Sequence, residues 1–283
     1  MDTVIGLGKA GCAIADKFAK YPQYLTYKLD VDLPVGPRSF VLARQQKIED
    51  YEENCPDLTK FFDSVEADIL FVIGGGGGVS SSALAILKQL KHCNINVMYI
   101  KPDLSFGGAT EKLLDKMTFN VLQQYARSGV FERLYLIDNE QLEKVIPPTS
   151  VKNYYDNLNE AVVSTFHMIN VFNHVDPVTD TFSDPPPGAR ISTIGFVNPK
   201  KNDDQMFFLL DNVSDMVYYY GYNKMKLEEG NNLLSQVKNS IIKKTDGGVR
   251  VSYGIFETDY EQDYIYILNH SSVIQGEEQP STE

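Results

Sequence analysis

Residues 74–82 combine glycines and hydroxyl groups in an order typical of an anion-binding loop. Five consecutive glycines follow an apolar run at residues 69–73, which predicts a buried strand, and a helix is predicted over 83–90. Glycine permits a positive φ and a close backbone approach, and a helix N-terminus presents free N–H groups and the positive end of its dipole. Three serines, 80–82, add hydroxyl donors and candidate N-caps. Because a flexible linker would not separate a buried strand from a helix, we interpret this stretch as a phosphate-binding loop.

A second glycine motif lies near the N-terminus. A GxGxxG pattern occupies residues 6–11, between a strand predicted over 3–6 and a helix predicted over 12–20. In this strand–turn–helix context the motif is known to bind the pyrophosphate of a dinucleotide, with an acidic residue about twenty positions later on the ribose. Asp30 or Asp32 stands at that distance. The pattern fits a general nucleotide-binding fold equally well, so an NAD-dependent oxidoreductase is one alternative at this point.

Composition and charge restrict the classes of function. The 283 residues carry 38 acidic and 26 basic side chains, a net charge of −12, which argues against direct nucleic-acid binding because phosphate contacts need a basic face. Three cysteines and four histidines are scattered without ligand-type spacing, so we predict no metal site and expect a reducing, cytoplasmic location. No apolar run approaches the ~20 residues of a membrane span, so membrane insertion is not expected.

Strands and helices alternate over residues 1–148, which predicts a Rossmann-like, doubly wound parallel sheet that forms a nucleotide-binding domain. The predicted strands are 3–6, 24–29, 39–42, 69–73, 95–100 and 134–137. The predicted helices are 12–20, 57–64, 83–90, 109–127 and a short one that ends at Ile146.

Residues 149–174 read as a long connecting helix, because apolar side chains recur at helical spacing for roughly six turns after Thr149 or Ser150 as N-cap. Residues 175–188 form a turn-rich, proline-rich loop, and residues 189–274 a smaller mixed α/β domain. In that domain we predict strands at 191–197, 206–210, 216–220, 249–256 and 264–268, and a helix at 227–243. The acidic tail, 275–283, is predicted to be disordered.

Several segments together resemble the tubulin/FtsZ superfamily. Residues 136–142 resemble the Ile-Asp-Asn-Glu-Ala-Leu segment of tubulin, and residues 155–159, Tyr-Asp-Asn-Leu-Asn, resemble its Tyr-Gly-Asp-Leu-Asn. Residues 8–18 look like tubulin's first loop and helix, and residues 76–82 are similar to the family's Gly-Gly-Gly-Thr-Gly-Ser-Gly signature. Further matches are Lys101-Pro102 with Phe106-Gly107, similar to an FtsZ loop, and the strand and helix order of residues 218–268. The resemblance covers roughly residues 1–270 and fits a divergent, compact member, with a size and tail similar to phage-encoded tubulins.

This resemblance implies a GTP- or GDP-binding protein, with Mg²⁺ accompanying GTP, that polymerises head to tail with copies of itself. Tyr155 would stack on guanine, while Asn159 and Asn139 would hydrogen-bond to it. Because an amide can both donate and accept, these two residues suit either purine, and the preference for guanine is implied by the resemblance alone. Asp103 or Glu111 would stand in for the ribose-binding acid of the family. The loop residues implied are Gly8, Lys9, Ala10, Gly11, Cys12, Gly75, Gly76, Gly77, Gly78, Val79, Ser80 and Ser81. The acidic tail would contact a neighbouring subunit or an adaptor.

The resemblance is weaker for the residues of hydrolysis than for those that bind the nucleotide. In the family, acidic residues after the long helix enter the next subunit's pocket and position the attacking water, and here Asp180 and Asp184 fall at or near those places. Three prolines at 185–187 replace the following helix, and residues 33–65 lack the family's glycine-rich loop. Three functions therefore stay open: an assembling GTPase, a non-hydrolysing structural protein of the same fold, and a Rossmann oxidoreductase that uses Gly6, Gly8 and Gly11.

Overall fold

The protein is an α/β sheet structure with helices on both faces. The computed structural model describes residues 2–105, 107–198, 201–230, 232–245 and 248–276. Within them, twelve strands join in one sheet, which confirms the predicted α/β class. Phe106, in the loop that resembles FtsZ, and residues 277–283 of the predicted tail lie outside the described residues.

Six parallel strands form the first half of the sheet. They are β1 (Thr3–Leu7), β2 (Leu25–Asp30), β3 (Ser39–Val41), β4 (Asp68–Gly74), β5 (Asn94–Lys101) and β6 (Arg133–Asp138), in the spatial order β3-β2-β1-β4-β5-β6. The strand order reverses between β1 and β4, and such a switch point opens a crevice at the carboxyl ends of the strands. Residues 69–73 of β4 are fully buried, because a parallel strand is covered on both faces.

Helices cover the two faces of these strands. They are α1 (Gly8–Phe18), α2 (Asp50–Glu53), α3 (Ala83–Gln89), α4 (Ala109–Arg127), α5 (Asn139–Val145) and α6 (Tyr154–Phe172). One apolar core packs α3 and α4 against one face, through residues such as Leu87 and Leu122. A second core packs α1 and α6 against the other face, where Phe18 meets Phe166 edge to face at a centroid distance of 5.9 Å.

Three boundaries in this half differ from the prediction. Helix α1 begins at Gly8 rather than at residue 12, so the glycine motif forms its first turns. The helix predicted over 57–64 is wrong: the Asp57 carboxylate accepts hydrogen bonds from Thr59 N and Oγ1, and this local turn replaces the helix. Helix α6 follows a 3-10 turn at Val151–Asn153, and the Thr149 hydroxyl bonds to Asn157 instead of capping.

The second half extends the same sheet. Its elements are β7 (Thr179–Asp180), β8 (Ile191–Val197), β9 (Asp204–Met206), β10 (Val213–Asn223), α7 (Lys224–Glu229), α8 (Leu233–Lys244), β11 (Arg250–Thr258) and β12 (Tyr264–Ser271). The sheet continues from β6 into β8, where Leu134 pairs with Ile191, and then runs β8-β12-β10-β11-β7. The domain boundaries at 148 and 189 stay a prediction, and the sheet is uninterrupted between them.

The prediction was less accurate in this half. The single helix predicted over 227–243 is two helices, α7 and α8, separated where Gly230 ends α7 and Asn232 adopts φ 75°. Strand β9 ends at Met206, where the strand predicted over 206–210 was to begin, and β10 is longer than predicted. Gln275 does not belong to a disordered tail, because it is 1% exposed and its backbone N–H donates to Gln123 Oε1 of α4 over 2.7 Å.

Candidate functional site

A cleft of about 490 Å³, here called the main cleft, opens at the switch point between β1 and β4. It lies at the carboxyl ends of β1, β4 and β5, where the first turn of α1 and the glycine loop after β4 meet α5 and α6. It is lined by Leu7, Gly8, Lys9, Ala10, Ala13, Asp30, Gly74, Gly75, Gly77, Gly78, Val79, Ser80, Ile100, Pro102, Asp103, Asn139, Tyr155 and Asn159. The structure thus brings both glycine loops and the Tyr155/Asn159 pair around one cavity.

The N-terminal glycine motif places the start of α1 in the main cleft. Gly8 has φ +70°, a conformation that side chains disfavour, and it turns the chain from β1 directly into α1. A Cβ at Gly11 would lie 2.3 Å from the carbonyl oxygen of Val72, so this glycine lets α1 pack onto β4. No side chain caps the N-terminus of α1, and its first turn contains no acidic residue. Its free N–H groups and the positive end of its dipole therefore face the main cleft.

Gly11 and Cys12 are buried residues of α1 and do not line the main cleft. The Cys12 thiol donates to the carbonyl oxygens of Gly6 and Leu29, at 3.4 and 3.6 Å. Burial, with the nearby negative charge of Asp30, raises the pKa of Cys12 to about 12, so the thiol is protonated at neutral pH. Its contribution is therefore packing rather than chemistry.

The second glycine loop, residues 74–78, is held by buried polar groups. A Cβ at Gly75 would lie 2.0 Å from Asp115 Oδ1 and 2.2 Å from the Tyr99 hydroxyl, so only glycine fits there. The Tyr99 hydroxyl donates to the Asp115 carboxylate, and both residues are buried. Burial raises the pKa of Asp115 above its usual range. Asp115 and Tyr99 thus form a rigid wall against which Gly75 of the loop packs.

The serines after the glycines do not cap α3 as predicted. Ser80 Oγ donates to Gly74 O over 2.6 Å, and Ser82 Oγ donates to Val79 O over 2.7 Å. A 3-10 turn (Gly78–Ser82) precedes α3, and the Ser80 hydroxyl ties this turn back to Gly74 at the end of β4, so the serines close the loop instead of capping the helix. Ser80 lines the main cleft, whereas Ser81 lines a separate depression beside α4.

The opposite end of the main cleft carries an exposed ring and two amides. Tyr155 is 68% exposed in the first turn of α6, and Asn159 follows one turn later on the same helix face. Asn139 is the first residue of α5, directly after β6. The Tyr155 ring contacts Tyr154 edge to face at a centroid distance of 5.0 Å. Its flat face is the surface on which a planar ligand could stack.

A side cleft adjoins this end. Its lining includes Gly76, the loop after β5, and α5. Gly76, with φ +73°, and Glu111 line it rather than the main cleft, while Asp103 and Tyr155 line both. The Asp103 carboxylate accepts from Ser105 N over 2.8 Å, and hydrogen bonding with the Ser105 side chain, then with this N–H, lowers the pKa of Asp103. Glu111 Oε2 accepts from Gly108 N at the start of α4.

Charge in the main cleft is mixed. Lys9 supplies a cation, and Asp30 and Asp103 supply carboxylates. In the acidic run at residues 49–53, the Tyr51 ring lies beside Gly78, and Glu52 lines two other depressions. Six lining residues were not among the predicted ligands: Leu7, Ala13, Asp30, Gly74, Ile100 and Pro102. The sequence assigned Asp30 only to the oxidoreductase alternative. Leu7 and Ile100 line the cleft because they lie at the carboxyl ends of β1 and β5.

Asp180 and Asp184 lie outside the main cleft. Asp180 belongs to β7, which pairs with β11 at the edge of the sheet, and its carboxylate accepts from Phe182 N over 2.9 Å. Asp184 contributes its backbone oxygen to Arg250 Nη2 over 2.6 Å. The predicted absence of a helix in this loop is confirmed, since residues 181–190 contain none.

The described residues offer neither a metal-binding cluster nor a membrane-spanning helix. Among them, no group of three or more His, Cys, Asp or Glu side chains is placed to hold a metal ion. No helix within the described ranges is long and apolar enough to cross a membrane.

No protein family model and no curated protein matches the sequence. Solved structures do match. An FtsZ dimer from M. jannaschii has a TM-score of 0.69 at 12% identity, over 95% of this chain and 87% of that one. CetZ1 from Haloferax volcanii, described as a GDP-bound monomer, has 0.70 at 18% identity, over 97% and 95%. A GTPγS-form protofilament of Bacillus thuringiensis serovar israelensis TubZ has 0.71 at 17% identity, over 95% and 86%.

The chain has the FtsZ/tubulin fold. The resemblance stated from the sequence is therefore confirmed at the level of fold, over nearly the whole chain. Helix α6 packs against core residues from both halves of the sheet, and it contributes Tyr155 and Asn159 to the main cleft.

Proposed function

We propose that the protein binds a guanine nucleotide in the main cleft and assembles head to tail into filaments. The observation that carries this proposal is the convergence of two glycine loops, Tyr155 and Asn159 on one cavity at the switch point of an FtsZ/tubulin fold. Among structures of that fold, CetZ1 is described with GDP and TubZ as protofilaments. Filament formation by this chain is inferred from that likeness.

Each end of the cleft suits one part of the ligand. The phosphates would lie against the start of α1 and the loop 74–78, where backbone N–H groups, a helix dipole and Lys9 favour an anion. The base would stack on Tyr155, with Asn159 and Asn139 at its polar edge. Asp103, which lines the cleft between these ends, would accept from the ribose hydroxyls.

Mg²⁺ fits the cleft only as a partner of the phosphates. The described residues hold no cluster of three metal-ligating side chains, but Mg²⁺ commonly uses one or two carboxylates with phosphate oxygens and water. Asp30 or Asp103 would supply that carboxylate. The ion would neutralise phosphate charge in a cleft with a single lysine.

Hydrolysis, where it occurs, would be completed at the contact between two subunits. Asp180 and Asp184 do not line the cleft of their own chain, so they would act only on the nucleotide of a neighbour. A head-to-tail contact is heterologous and generates an open filament rather than a closed dimer. Phosphoryl transfer depends chiefly on positioning and charge neutralisation, so an acid supplied by the neighbour can orient the attacking water.

A non-hydrolysing structural protein is the second candidate. Two observations favour it: the Asp180 carboxylate is already bonded to Phe182 N, and three prolines replace the helix after Asp184. Such a protein would bind nucleotide and assemble without releasing phosphate. The two candidates share the cleft and differ only in turnover.

Nucleotide binding is tested by titration with a fluorescent GDP analogue and competition by GTP, ATP and NAD. We expect displacement by GTP and GDP, and a loss of affinity of roughly five- to 150-fold in Tyr155→Ala, the range for one base–aromatic stack. Tyr260→Ala removes another exposed ring outside the cleft and serves as the control. Retention of NAD without guanine nucleotide would support the oxidoreductase instead.

Assembly is tested separately. Pelleting and negative-stain microscopy with GTP, GDP and GTPγS, alongside phosphate release, should show filaments that depend on nucleotide. Filaments with phosphate release support the GTPase, and filaments without release support the structural protein. Protein that binds guanine nucleotide but stays monomeric under all three conditions contradicts the assembly proposal.

A further inference from the structure

One buried cation joins the two helices that form opposite ends of the main cleft. Lys17 lies in the last turn of α1, and its side chain is only 6% exposed. Its Nζ lies 2.8 Å from Asp156 Oδ1 and 2.9 Å from Glu160 Oε2, both on α6. Residue 17 and residue 160 are separated by 143 positions in the chain. This ion triad is therefore a tertiary link between α1 and α6.

The two acids occupy informative positions on α6. Asp156 directly follows Tyr155, and Glu160 directly follows Asn159. Successive residues of an α-helix point about 100° apart, so a contact that holds residues 156 and 160 also fixes where 155 and 159 point. The link therefore sets the rotation of α6 about its own axis, and with it the direction of the base-binding side chains.

The other end of the link belongs to the phosphate side. Helix α1 begins at Gly8, in the loop that lines the main cleft, and reaches Lys17 after two and a half turns. The apolar contact of Phe18 with Phe166 also joins α1 to α6, but such packing is less directional than a hydrogen-bonded ion triad. Lys17 is thus a directional polar contact from α1 itself to α6, beside the bonds that Tyr24, in the turn after α1, makes with His167 and Asn170.

Each charge of the triad is stabilised by its partners, one ammonium between two carboxylates. Burial alone would lower the pKa of Lys17, but hydrogen bonds with Asp156 and Glu160 raise it above its usual value, so the ammonium is charged. The same contacts lower the pKa of Asp156 and of Glu160. Breaking a buried pair is costly because it leaves a charge without its partner. Lys20, at 62% exposed, reaches only Glu160, over 3.4 Å.

We propose that Lys17 is a positioning residue that couples the phosphate end of the main cleft to the base end. The inference rests on the proposed function and deepens it. A ligand that contacts both ends benefits from a fixed relation between α1 and α6, because the protein orders nothing on binding. A ligand that contacts one end does not depend on that relation. Loss of Lys17 should therefore weaken the binding of the whole nucleotide and leave the binding of its fragments unchanged.

The test measures dissociation constants of GDP, guanosine and pyrophosphate by displacement of a fluorescent nucleotide from the wild type and Lys17→Met. Methionine keeps the apolar stem of the lysine and removes the charge. We expect the dissociation constant of GDP to rise about tenfold, a typical coupling between two sites, while those of guanosine and pyrophosphate stay within about twofold. Lys17→Arg, which can hold both carboxylates, should restore most of the GDP affinity.

Matched variants separate positioning from general damage. Lys20→Met removes the exposed neighbour that does not reach Asp156, and should leave GDP affinity unchanged. The double variant Asp156→Asn with Glu160→Gln breaks the triad from the α6 side and should reproduce the selective loss of GDP. A triple variant, Lys17→Met with Asp156→Asn and Glu160→Gln, removes all three charges and so leaves none buried without its partner. It keeps the test available where either of the other variants fails to fold.

Two outcomes overturn the inference. Unchanged GDP affinity in the folded Lys17→Met or in the double variant would show that the triad does not couple the two ends. An equal loss for GDP, guanosine and pyrophosphate would show general structural damage. Failure of the wild type to bind any guanine nucleotide is a different result, because it refutes the proposed function first and this inference with it.

Discussion

Gly75 is the residue of the second glycine loop with the least room. The wall formed by Asp115 and Tyr99 is buried and hydrogen-bonded, so neither group can retreat without leaving a polar atom unpaired. We predict that Gly75→Ala destabilises the protein by about 1–3 kcal/mol, the usual cost of overpacking a well-packed interior. Chemical denaturation in urea measures this change in the free energy of unfolding.

Gly77→Ala is the matched control for this prediction. Gly77 has φ −91° and ψ 141°, an ordinary extended conformation, and a Cβ there would meet its nearest neighbour, Ser80 Oγ, at 3.6 Å. The control should change the free energy of unfolding by less than about 0.5 kcal/mol. Equal effects at residues 75 and 77 would contradict the assignment of Asp115 and Tyr99 as a rigid wall.

At the scale of helices and strands, the parts that sequence could predict are those with local causes. Apolar runs bounded by glycines located β1 and β4, and the glycines after them located both loops of the main cleft. Tyr155 and Asn159 are four residues apart on a helix, so their shared direction was also predictable. Their place opposite the glycine loop came from the family resemblance, and the structure agrees with it.

The parts that sequence did not predict depend on residues far apart in the chain. Gln275 is ordered by Gln123, 152 positions away, and Lys17 meets Glu160 across 143 positions. The break between α7 and α8 requires positive φ at Asn232, which a helical apolar pattern does not reveal. The support of Gly75 by Asp115 was likewise invisible, since a buried acid within an amphipathic helix resembles a surface residue in sequence.

Three strands meet at a buried histidine, and this contact has a consequence for pH. His270 of β12 is 1% exposed, contacts Arg133 of β6, and hydrogen-bonds with Ser192 of β8 over 2.8 Å. Burial, then the charges of Arg133 and Arg250, lower the pKa of His270 well below its usual value. Asp215 of β10, its register partner, is engaged by Arg250 over 2.8 Å.

The sign of the pH effect follows from this shift. Below the unfolded pKa of about 6.5 the unfolded chain binds a proton at residue 270 and the folded protein does not, so stability falls as pH falls. For one such histidine we predict a loss of about 2 kcal/mol between pH 7 and pH 5. Urea denaturation at both pH values should show that His270→Gln loses about that much less than the wild type. Parallel losses in the two proteins would contradict a neutral, buried His270.

At the scale of the whole molecule, the main cleft and the loop that carries Asp184 belong to different parts of one continuous sheet. The cleft lies at the switch point between β1 and β4, whereas β7, which precedes that loop, is the strand at the far edge beyond β11. A single subunit therefore does not bring Asp184 to its own main cleft. A head-to-tail filament would bring each loop to the next subunit's cleft, so turnover would be a property of the contact.

We predict that Asp184→Ala binds GTP and assembles but releases phosphate about a hundredfold more slowly, the scale of losing one positioned acid–base group. The substitution keeps the backbone oxygen that accepts from Arg250 Nη2, so the loop should retain its fold. Asp176→Ala, an exposed acid earlier in the same segment, is the control and should release phosphate like the wild type. Mixing Asp184→Ala with Tyr155→Ala supplies an intact cleft from one variant and an intact Asp184 from the other. The mixture is assayed at a GTP concentration that fills the intact cleft but not the weakened cleft of Tyr155→Ala. Because only a heterologous contact joins the two intact halves, the mixture should then release phosphate faster than either variant alone. A mixture as slow as its components would contradict an active site shared between subunits.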